Sequence, residues 1–537
     1  MLPSRRGLLA ALAGLLLLAP STPVARAATG HQAPRPHPVT HGQAVAALHR
    51  AESLVAGAPT GQRPRAGVRH GTDGTLVLRD LAGALPSLAP AERRTALRIL
   101  ARPTDPGGDG IVQLDPARLA TVDDAAGHFS VHYLPGTPAP RVDGDNRADP
   151  TWVSNDLLPA LDRAWRTEVD TMGYQAPLPD RTDTDPTDVG NPDPKLDVYL
   201  ANLGQYGIYG YCTTTDPQAT APQQPAYCVL DNDFARSQFG GDPADSMHAT
   251  VAHEFFHAVQ FSYDVYEDGW FMEGSATWME HEVYGNTRDY LQYLPFSPIR
   301  RPAEPVDQFD SWGLHQYGDF LFFEYLDERL GAGAVKEAWT RAAATPTSDA
   351  YSLQAVRATV TAHGQRFLPF LATFARWNTL PPHSYALRAT YARETAPPWW
   401  VSRTLSRSAP SVAGQRSLAH LSSADVRLRP ARSLGRHARL HLVLDLPDRG
   451  NGPAATVQVR LRDGRVRTGR VPLTETGAGT EAVPFNPRRV ASVVVVLTSA
   501  STAMQGCGSN GRFSCGGTGV HDGEVYRISA RIGARIG

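Results

Sequence analysis

The stretch TVAHEFFHAVQ, residues Thr250 to Gln260, places two histidines four residues apart in an otherwise apolar segment. Residues at this spacing share one face of a helix, so the imidazoles of His253 and His257 can point at one atom. The surrounding residues are apolar nearly all round, which predicts a buried helix. Buried histidines need polar partners, and a metal ion beside this face would partner both at once.

The glutamate between these histidines gives the pattern its chemistry. H-E-x-x-H on a helix is typical of zinc hydrolases, in which two imidazoles bind the metal and the glutamate is the general base. Glu254 lies about 100° round the helix from His253, so it is not placed as a third ligand. It can instead reach a water molecule beside the metal. A core helix that carries two histidines by chance is the alternative interpretation.

A catalytic zinc site also needs a third protein ligand. In one class of zinc proteases this ligand is the last histidine of H-E-x-x-H-x-x-G-x-x-H, but Gln260 and Tyr263 stand where glycine and histidine are required. The segment WFMEGSATWMEHEVY supplies Glu273, followed by small residues that allow close packing of two helices. We therefore predict Glu273 as the third ligand. The alternatives are Glu280, which can also support a ligand through a hydrogen bond, and then Glu282 and His281.

The beginning of the chain has the pattern of a secretory signal peptide. A basic start, an apolar run too short to span a bilayer and the sequence ARA predict a signal peptide over residues 1–27, cleaved near Ala27. An uncleaved membrane anchor is the alternative. We expect a secreted, extracellular protein with no membrane association after cleavage. Its four cysteines suggest two disulfides, and proximity favours Cys212–Cys228 and Cys507–Cys515, although three connectivities are open.

Composition and charge limit the partners. The 537 residues are 42% apolar, enough for two or three domains with cores, and the formal net charge of −1 gives no electrostatic case for binding nucleic acid. Asp143, Asp145 and Asp149 are spaced somewhat like a calcium loop, and residues 180–193 form another oxygen-rich run. Neither has the glycine and terminal glutamate of an EF-hand. Solvated turns are the simpler interpretation, with Ca²⁺ as the alternative.

The order of segments predicts an α+β catalytic domain followed by a C-terminal antiparallel β-sandwich. Residues 28–125 are rich in Pro and Arg, with one clear helix, PAERRTALRIL, and we expect a propeptide or a small helical region. In residues 126–400 the strands HFSVHYLPG, LDVYLANL and AYCVLDND precede the histidine helix and two later helices. Residues 417–537 contain short β-branched runs between turn residues, which favours an accessory sandwich.

The two helical motifs also resemble a known family. HEFFH followed by WFMEGSATW is similar to the gluzincin metallopeptidases, in which H-E-x-x-H precedes a W-x-x-E-G-x-A helix. M1-type aminopeptidases and peptidase-MA-like proteins share this arrangement. Over residues 126–330 the chain resembles more specifically a poorly characterised group of secreted bacterial metalloproteases. The resemblance implies a zincin-like fold, one catalytic zinc ion and a protein or peptide substrate.

The same resemblance points to a further catalytic residue. In M1-type enzymes a tyrosine at the start of the next core helix, within Y-x-K-G, stabilises the oxyanion. HQYGDFLFFEYLDERLG places Tyr317 at a similar point, with a spacing one residue short and no lysine. His315 competes for this role, and a purely structural Tyr317 is the other alternative. The G-x-M-E-N element that holds a free amino terminus is missing from the sequence, which favours an endopeptidase.

We therefore predict a secreted zinc metallopeptidase in which Glu254 is the general base. Two alternatives stay open on the sequence alone. The same metal centre can hydrolyse another amide or an ester, or the protein can be a catalytically silent binding protein that keeps the zinc helix. An intact Glu254 argues against the silent protein, because a structural site has no use for a general base.

Overall fold

A six-stranded mixed sheet lies at the centre of the region that carries the histidine helix. Its strands are β1 (Ala120–Asp123), β2 (Phe129–Pro135), β3 (Arg147–Ala148), β4 (Leu196–Ala201), β5 (Gly210–Thr214) and β6 (Ala226–Asp231). The order is β1-β2-β4-β6-β5, with β3 beside β2. Strands β2, β4 and β6 run parallel, and β1 and β5 are antiparallel edge strands. The three strands predicted before the histidine helix are confirmed as β2, β4 and β6.

The structure is a computed structural model that describes residues 39–56, 74–136, 145–179, 195–345, 350–386, 398–509 and 511–533. The predicted signal peptide, Asp143 and the oxygen-rich run 180–193 lie outside these residues. Among the helices in the described ranges, none is long and apolar enough to cross a membrane.

Helices cover both faces of the central sheet. They are α1 (His41–Val55), α2 (Thr75–Ala84), α3 (Pro90–Ile99), α4 (Pro150–Trp152), α5 (Leu158–Trp165), α6 (Arg236–Phe239), α7 (Pro243–Phe261), α8 (Gly269–Val283), α9 (His315–Gly318), α10 (Phe320–Leu330), α11 (Ala334–Ala342), α12 (Ser352–Ala362) and α13 (Phe367–Asn378). The π-helical segments Val153–Leu157 and Arg166–Thr171 follow α4 and α5, so the helix predicted after Asp149 is one run with two wider turns.

Alternate residues of β4 belong to two different apolar cores, one on each face of the sheet. Val198 and Leu200 belong to the large core that α7, α8 and α10 share, whereas Tyr199 and Ala201 belong to the core of α1, α2 and α3. Successive strand residues point to opposite faces, so the N-terminal helices cover one face and α7 covers the other. Residues 39–56 and 74–119 are therefore a layer packed on the sheet, a contact that their Pro- and Arg-rich sequence did not indicate.

The C-terminal part consists of two further sheets around one apolar cluster. Their strands are β7 (Val401–Leu405), β8 (Ser411–Leu418), β9 (Ser422–Pro430), β10 (Arg439–Asp445), β11 (Pro453–Leu461), β12 (Val466–Arg470), β13 (Ala478–Pro484), β14 (Val490–Ser499) and β17 (Glu524–Gly533), with a separate pair β15 (Met504–Gln505) and β16 (Thr518–Gly519). The orders are β13-β10-β17-β8 and β12-β11-β14-β9-β7.

This C-terminal sheet region differs from the prediction in two details. It begins at Val401, earlier than the predicted boundary at Ser417, because the Ser- and Arg-rich sequences of β7 and β8 give a weak strand signal. It also contains one parallel pair, β7 with β9, among antiparallel neighbours. Both predicted disulfides are confirmed: Cys212–Cys228 joins β5 to β6, and Cys507–Cys515 closes a loop after β14.

Candidate metal centre

Helix α7 is buried on all sides from Ala249 to its end. Asp242 caps its first turn by accepting a hydrogen bond from the N–H of Ala244, and Pro243 fits the first helical position. Every residue from Ala249 to Phe261 is buried. The polar side chains between Ala249 and Phe261 are therefore removed from water and need partners inside the protein.

The three residues predicted as metal ligands come together between α7 and α8. His253 and His257 each direct Nε2 toward Oε2 of Glu273, at 3.3 and 3.8 Å. One ligand atom from each residue lies within 4.8 Å of the other two. The exposed fractions of the three residues are 6%, 0% and 2% in the same order. The fold thus assembles the predicted set, while the role of its members as ligands stays a prediction.

The Nδ1 atoms of both histidines form hydrogen bonds on the side away from Glu273. Nδ1 of His253 lies 2.9 Å from Oε1 of Glu280, and Nδ1 of His257 lies 2.7 Å from Oε1 of Gln260. Burial raises the pKa of Glu280 to about 7, and its hydrogen bond with His253 acts in the opposite direction. Glu280 therefore occupies the supporting position that the sequence left open, and Glu273 occupies the side where both Nε2 atoms meet. Gln260, seven residues after His253 on the same helix face, is a further support to which we gave no role from the sequence.

This arrangement fits a bound cation. An oxygen acceptor at Nδ1 fixes the proton of a neutral imidazole there and leaves a lone pair on Nε2. Two such lone pairs then face the carboxylate of Glu273 in a buried site, where electron-rich atoms repel each other. A cation between the three groups turns this repulsion into attraction. Two imidazoles and one carboxylate are also a donor set suited to zinc.

Glu254 lies on the same helix but outside this set. Its carboxylate oxygen Oε2 accepts a hydrogen bond of 3.2 Å from the Thr75 hydroxyl at the start of α2. Gly210 of β5 passes so close that a Cβ atom there would lie 2.8 Å from Cγ of Glu254. The glycine is therefore required for this close approach of strand and helix. Neither Thr75 nor Gly210 carries a local sequence signal, since both are far from the motif along the chain.

Tyr317 and His315 are in different surroundings. The Tyr317 ring lies 6.1 Å from the His253 ring and stacks at 4.9 Å on Tyr293, which belongs to the 3₁₀ segment Asp289–Phe296. The nitrogens of His315 lie 3.0 and 2.8 Å from the carbonyl oxygens of Phe296 and Pro305. His315 thus holds a backbone turn in place, whereas Tyr317 and Tyr293 place phenol rings beside the candidate metal centre.

The weaker candidates lie elsewhere. His281 and Glu282 form a separate group with Glu324, and Asp124, His128 and Asp162 form another among the described residues. Asp145 and Asp149 accept hydrogen bonds from the N–H groups of Arg147 and Thr151, respectively. These two carboxylates therefore stabilise turns, as the solvated-turn interpretation of the acidic loop expects.

A cavity of about 600 Å³ reaches the start of α8 but does not contain the candidate centre. It is bounded by α1 and α2, by the start of α8 and by the loop of the Cys507–Cys515 disulfide, and its lining includes Arg79, Glu267 and Arg512. His253, Glu254, His257 and Glu273 are not among the lining residues. This cavity and the candidate chemistry are therefore different places in this structure.

Comparison with known proteins does not assign a family. No family model matches the chain, and no curated protein matches it. Among solved structures, a family GH115 4-O-methyl-α-glucuronidase with specificity for decorated arabinogalactans shows 8% sequence identity and a TM-score of 0.13. This match covers 67% of the chain and 54% of the glucuronidase, so the chain spans about half the length of that enzyme. A likeness this weak supports neither a fold nor an activity.

Proposed function

We propose that the protein is a zinc-dependent metallopeptidase with a zincin-like catalytic domain, and that His253, His257 and Glu273 hold the zinc ion. The observation that carries the proposal is the convergence of two Nε2 atoms on one buried carboxylate, with both Nδ1 atoms held from behind. Zinc bound there would supply Lewis acidity, which lowers the pKa of water toward 7.

The neighbouring residues would move protons and stabilise charge. Glu254 follows the first ligand on the helix, and as general base it would take a proton from water and deliver it to the leaving amine. The Tyr317 hydroxyl would donate a hydrogen bond to the substrate carbonyl oxygen as that oxygen gains charge. Glu280 and Gln260 would fix the orientation of the two imidazoles, since each bonds the nitrogen that faces away from the metal.

The proposal includes a secreted endopeptidase that acts on a protein or peptide substrate. The signal-peptide pattern at residues 1–27 supports export, and two disulfides suit an oxidising compartment. The sequence lacks the G-x-M-E-N element for a free amino terminus, which supports cleavage of internal bonds.

Hydrolysis of casein by the purified protein, with and without a zinc chelator, tests this function. We expect cleavage that the chelator abolishes and added zinc restores. The control is Glu254→Gln, which removes a base but no ligand and should keep one zinc per chain while losing about 10²–10⁴-fold in rate.

Assays on casein, on esters and small amides, and the zinc content of Glu254→Gln separate the alternatives. A zinc-loaded wild type that cleaves esters or small amides but no peptide would replace the peptidase by another zinc hydrolase. Zinc binding without hydrolysis of any of these substrates would favour the silent binding protein. A Glu254→Gln variant without zinc would contradict the roles assigned to the motif.

A further inference from the structure

The start of α2 lies directly against the candidate general base. The Thr75 hydroxyl donates a hydrogen bond of 3.2 Å to Glu254 and accepts one of 2.8 Å from the N–H of Cys212 in β5. Thr75 is completely buried. The Thr75 hydroxyl therefore forms hydrogen bonds with both the candidate base and the edge strand β5.

The pairing of β5 shows which of its backbone groups point outward. Tyr209 accepts a hydrogen bond from Asp231, and Thr215 donates one to Pro225, so the odd-numbered residues of this stretch pair with β6. Even-numbered residues, Cys212 among them, then direct their N–H and C=O groups away from the sheet.

The disulfide partners agree with this register. Cys212 and Cys228 stand opposite each other with a Cα–Cα distance of 4.0 Å, close to the spacing of a pair that exchanges no hydrogen bonds. An outward N–H on an edge strand is a group that another extended chain can bind. In this structure the Thr75 hydroxyl takes that position.

The candidate centre is closed in this arrangement. The exposed fractions of His253, Glu254, His257 and Glu273 lie between 0% and 6%, and the cavity nearby is lined by other residues. Hydrolysis requires a water molecule and a substrate carbonyl to reach these four side chains. Some part of the chain has to move first, and α2 is the element that contacts both Glu254 and β5.

One polar contact and one cavity bear on how firmly α2 is held. Its side chain Arg79 donates a hydrogen bond of 2.7 Å to the carbonyl oxygen of Glu267 and contacts Sδ of Met272 at 3.0 Å, which ties α2 to the connection between α7 and α8. Arg79 and Asp80 also line the cavity of about 600 Å³, so this side of α2 is not closely packed. The buried side chains Leu76, Leu78 and Leu81 also hold α2 on the sheet, so loss of this polar anchor should make local opening of the helix more frequent without detaching it.

We infer that the N-terminal layer, residues 39–56 and 74–119, holds the candidate site closed, and that Thr75 makes the inhibitory contact. This inference rests on the proposed function and adds its regulation. Displacement of α2 frees an oxygen atom of Glu254 and the N–H of Cys212 in one movement. The base and the strand beside it thus become available together, and the segment predicted as a propeptide acts as an inhibitor within the same chain.

Two variants of the full chain test this closure. Thr75→Val keeps the volume of the side chain but removes both hydrogen bonds, and Arg79→Ala removes the anchor of α2. The matched control is Arg93→Ala, because Arg93 also belongs to this layer but its guanidinium bonds Gln218 instead. The readouts are cleavage of an internally quenched peptide, zinc content, zinc release to a chelator, and hydrogen–deuterium exchange at the Cys212 amide.

We expect at least a tenfold rise in kcat/KM and at least tenfold faster exchange and zinc release in Thr75→Val and Arg79→Ala, with equal zinc content. Arg93→Ala should match the wild type in all four readouts. Unchanged exchange and activity in both test variants would overturn the inference. So would a fall in kcat with zinc retained, because Thr75 would then orient Glu254 for catalysis instead of blocking it.

Failure of the proposed function looks different. One such outcome is that none of these proteins cleaves peptide while Thr75→Val and Arg79→Ala still show faster hydrogen–deuterium exchange at the Cys212 amide and faster zinc release. That result would support the closure and contradict the peptidase assignment. If the wild type is already as active as both variants, the peptidase stands and the closure fails.

Discussion

Two buried histidine clusters in this molecule use the same ingredients differently. His420, where the C-terminal sheet region meets the helices, directs Nδ1 to Asp522 at 2.6 Å and Nε2 to Asp307 at 2.9 Å. Each nitrogen has a carboxylate of its own, so an imidazolium satisfies the cluster with protons alone. Its two aspartates raise the pKa of His420 to about 10 against the opposing effect of burial.

The cluster of α7 and α8 has a different stoichiometry. Two imidazoles face one carboxylate, Glu273, and their other nitrogens are occupied by Glu280 and Gln260. Burial of histidine beside carboxylate is common to both places and does not by itself indicate a metal. The distinguishing feature is two Nε2 atoms that converge on one shared oxygen, which is the arrangement that a divalent cation completes.

Removal of Glu273 should have the largest effect, because this carboxylate is the group that both Nε2 atoms share. We expect Glu273→Ala to contain no zinc after dialysis and to show no hydrolysis, because two imidazoles alone do not make a catalytic zinc site. Metal analysis of the dialysed protein measures this directly. The variant Asp307→Asn at the other cluster should keep one zinc per chain, and retention of zinc by Glu273→Ala would transfer the ligand role to another residue.

Loss of the Tyr317 hydroxyl beside the metal cluster should have the next largest effect. Tyr317→Phe keeps the ring stacking but removes a donor to the oxyanion, so kcat should fall by about 10²–10³, or roughly 3–4 kcal/mol, with little change in KM. Steady-state kinetics on one peptide, with zinc content as the control, gives the result. A normal kcat for Tyr317→Phe together with a loss for Tyr293→Phe would assign the role to the neighbouring ring.

Glu280 should matter less than Glu273, although both contact His253. A residue that supports a ligand from behind typically contributes about 10–100-fold in affinity or activity, or roughly 1.4–2.8 kcal/mol. We therefore expect Glu280→Ala to retain zinc after dialysis but to lose it to a weaker chelator than the wild type does. Competition titrations measure the difference, and an empty site in Glu280→Ala would reverse the two assignments.

The smallest effect is expected at His420 and depends on pH. Its pKa in the folded protein, about 10, lies above the ordinary value of about 6.5. Its contribution to stability is therefore complete below pH 6.5 and is lost as the pH rises toward 10. We expect the melting temperature to fall by a few degrees between pH 6.5 and pH 10.

A substitution separates this contribution from other groups that titrate in the same range. In His420→Gln most of that pH-dependent fall should disappear, while the exposed His437→Gln should behave like the wild type. Thermal denaturation at the two pH values is the measurement. An equal fall in His420→Gln would place the titrating group elsewhere.

The local motifs were predictable because they depend on residues close together in sequence. The spacing of His253 and His257 fixed a shared helix face, and the small residues after Glu273 indicated close helix packing. The pairing of each disulfide followed from proximity. The choice between Glu273 and Glu280 needed the structure, because the two carboxylates lie on the same face of α8 and only the ring orientation of His253 separates them.

Contacts between distant segments were not predictable. Thr75 lies 179 residues before Glu254, and the pair His420–Asp307 spans 113 residues. No periodicity or motif marks such pairs, since each partner is an ordinary residue in its own segment. The same holds for the packing of residues 39–56 and 74–119 on the sheet. Residues of β4 are apolar on both faces, and this pattern does not indicate which segment covers each face.

The loop of the Cys507–Cys515 disulfide has a consequence for the order in which the protein is made. Its backbone N–H groups at Ser514 and Cys515 bind Asp307 and Asp268, and Asp268 immediately precedes α8, the helix that carries Glu273. A chain emerging from the ribosome cannot form these contacts until residue 515 has been synthesised. The surroundings of α8 are thus completed late in translation, and a product truncated before this loop would leave the carboxylates of Asp268 and Asp307 without those partners.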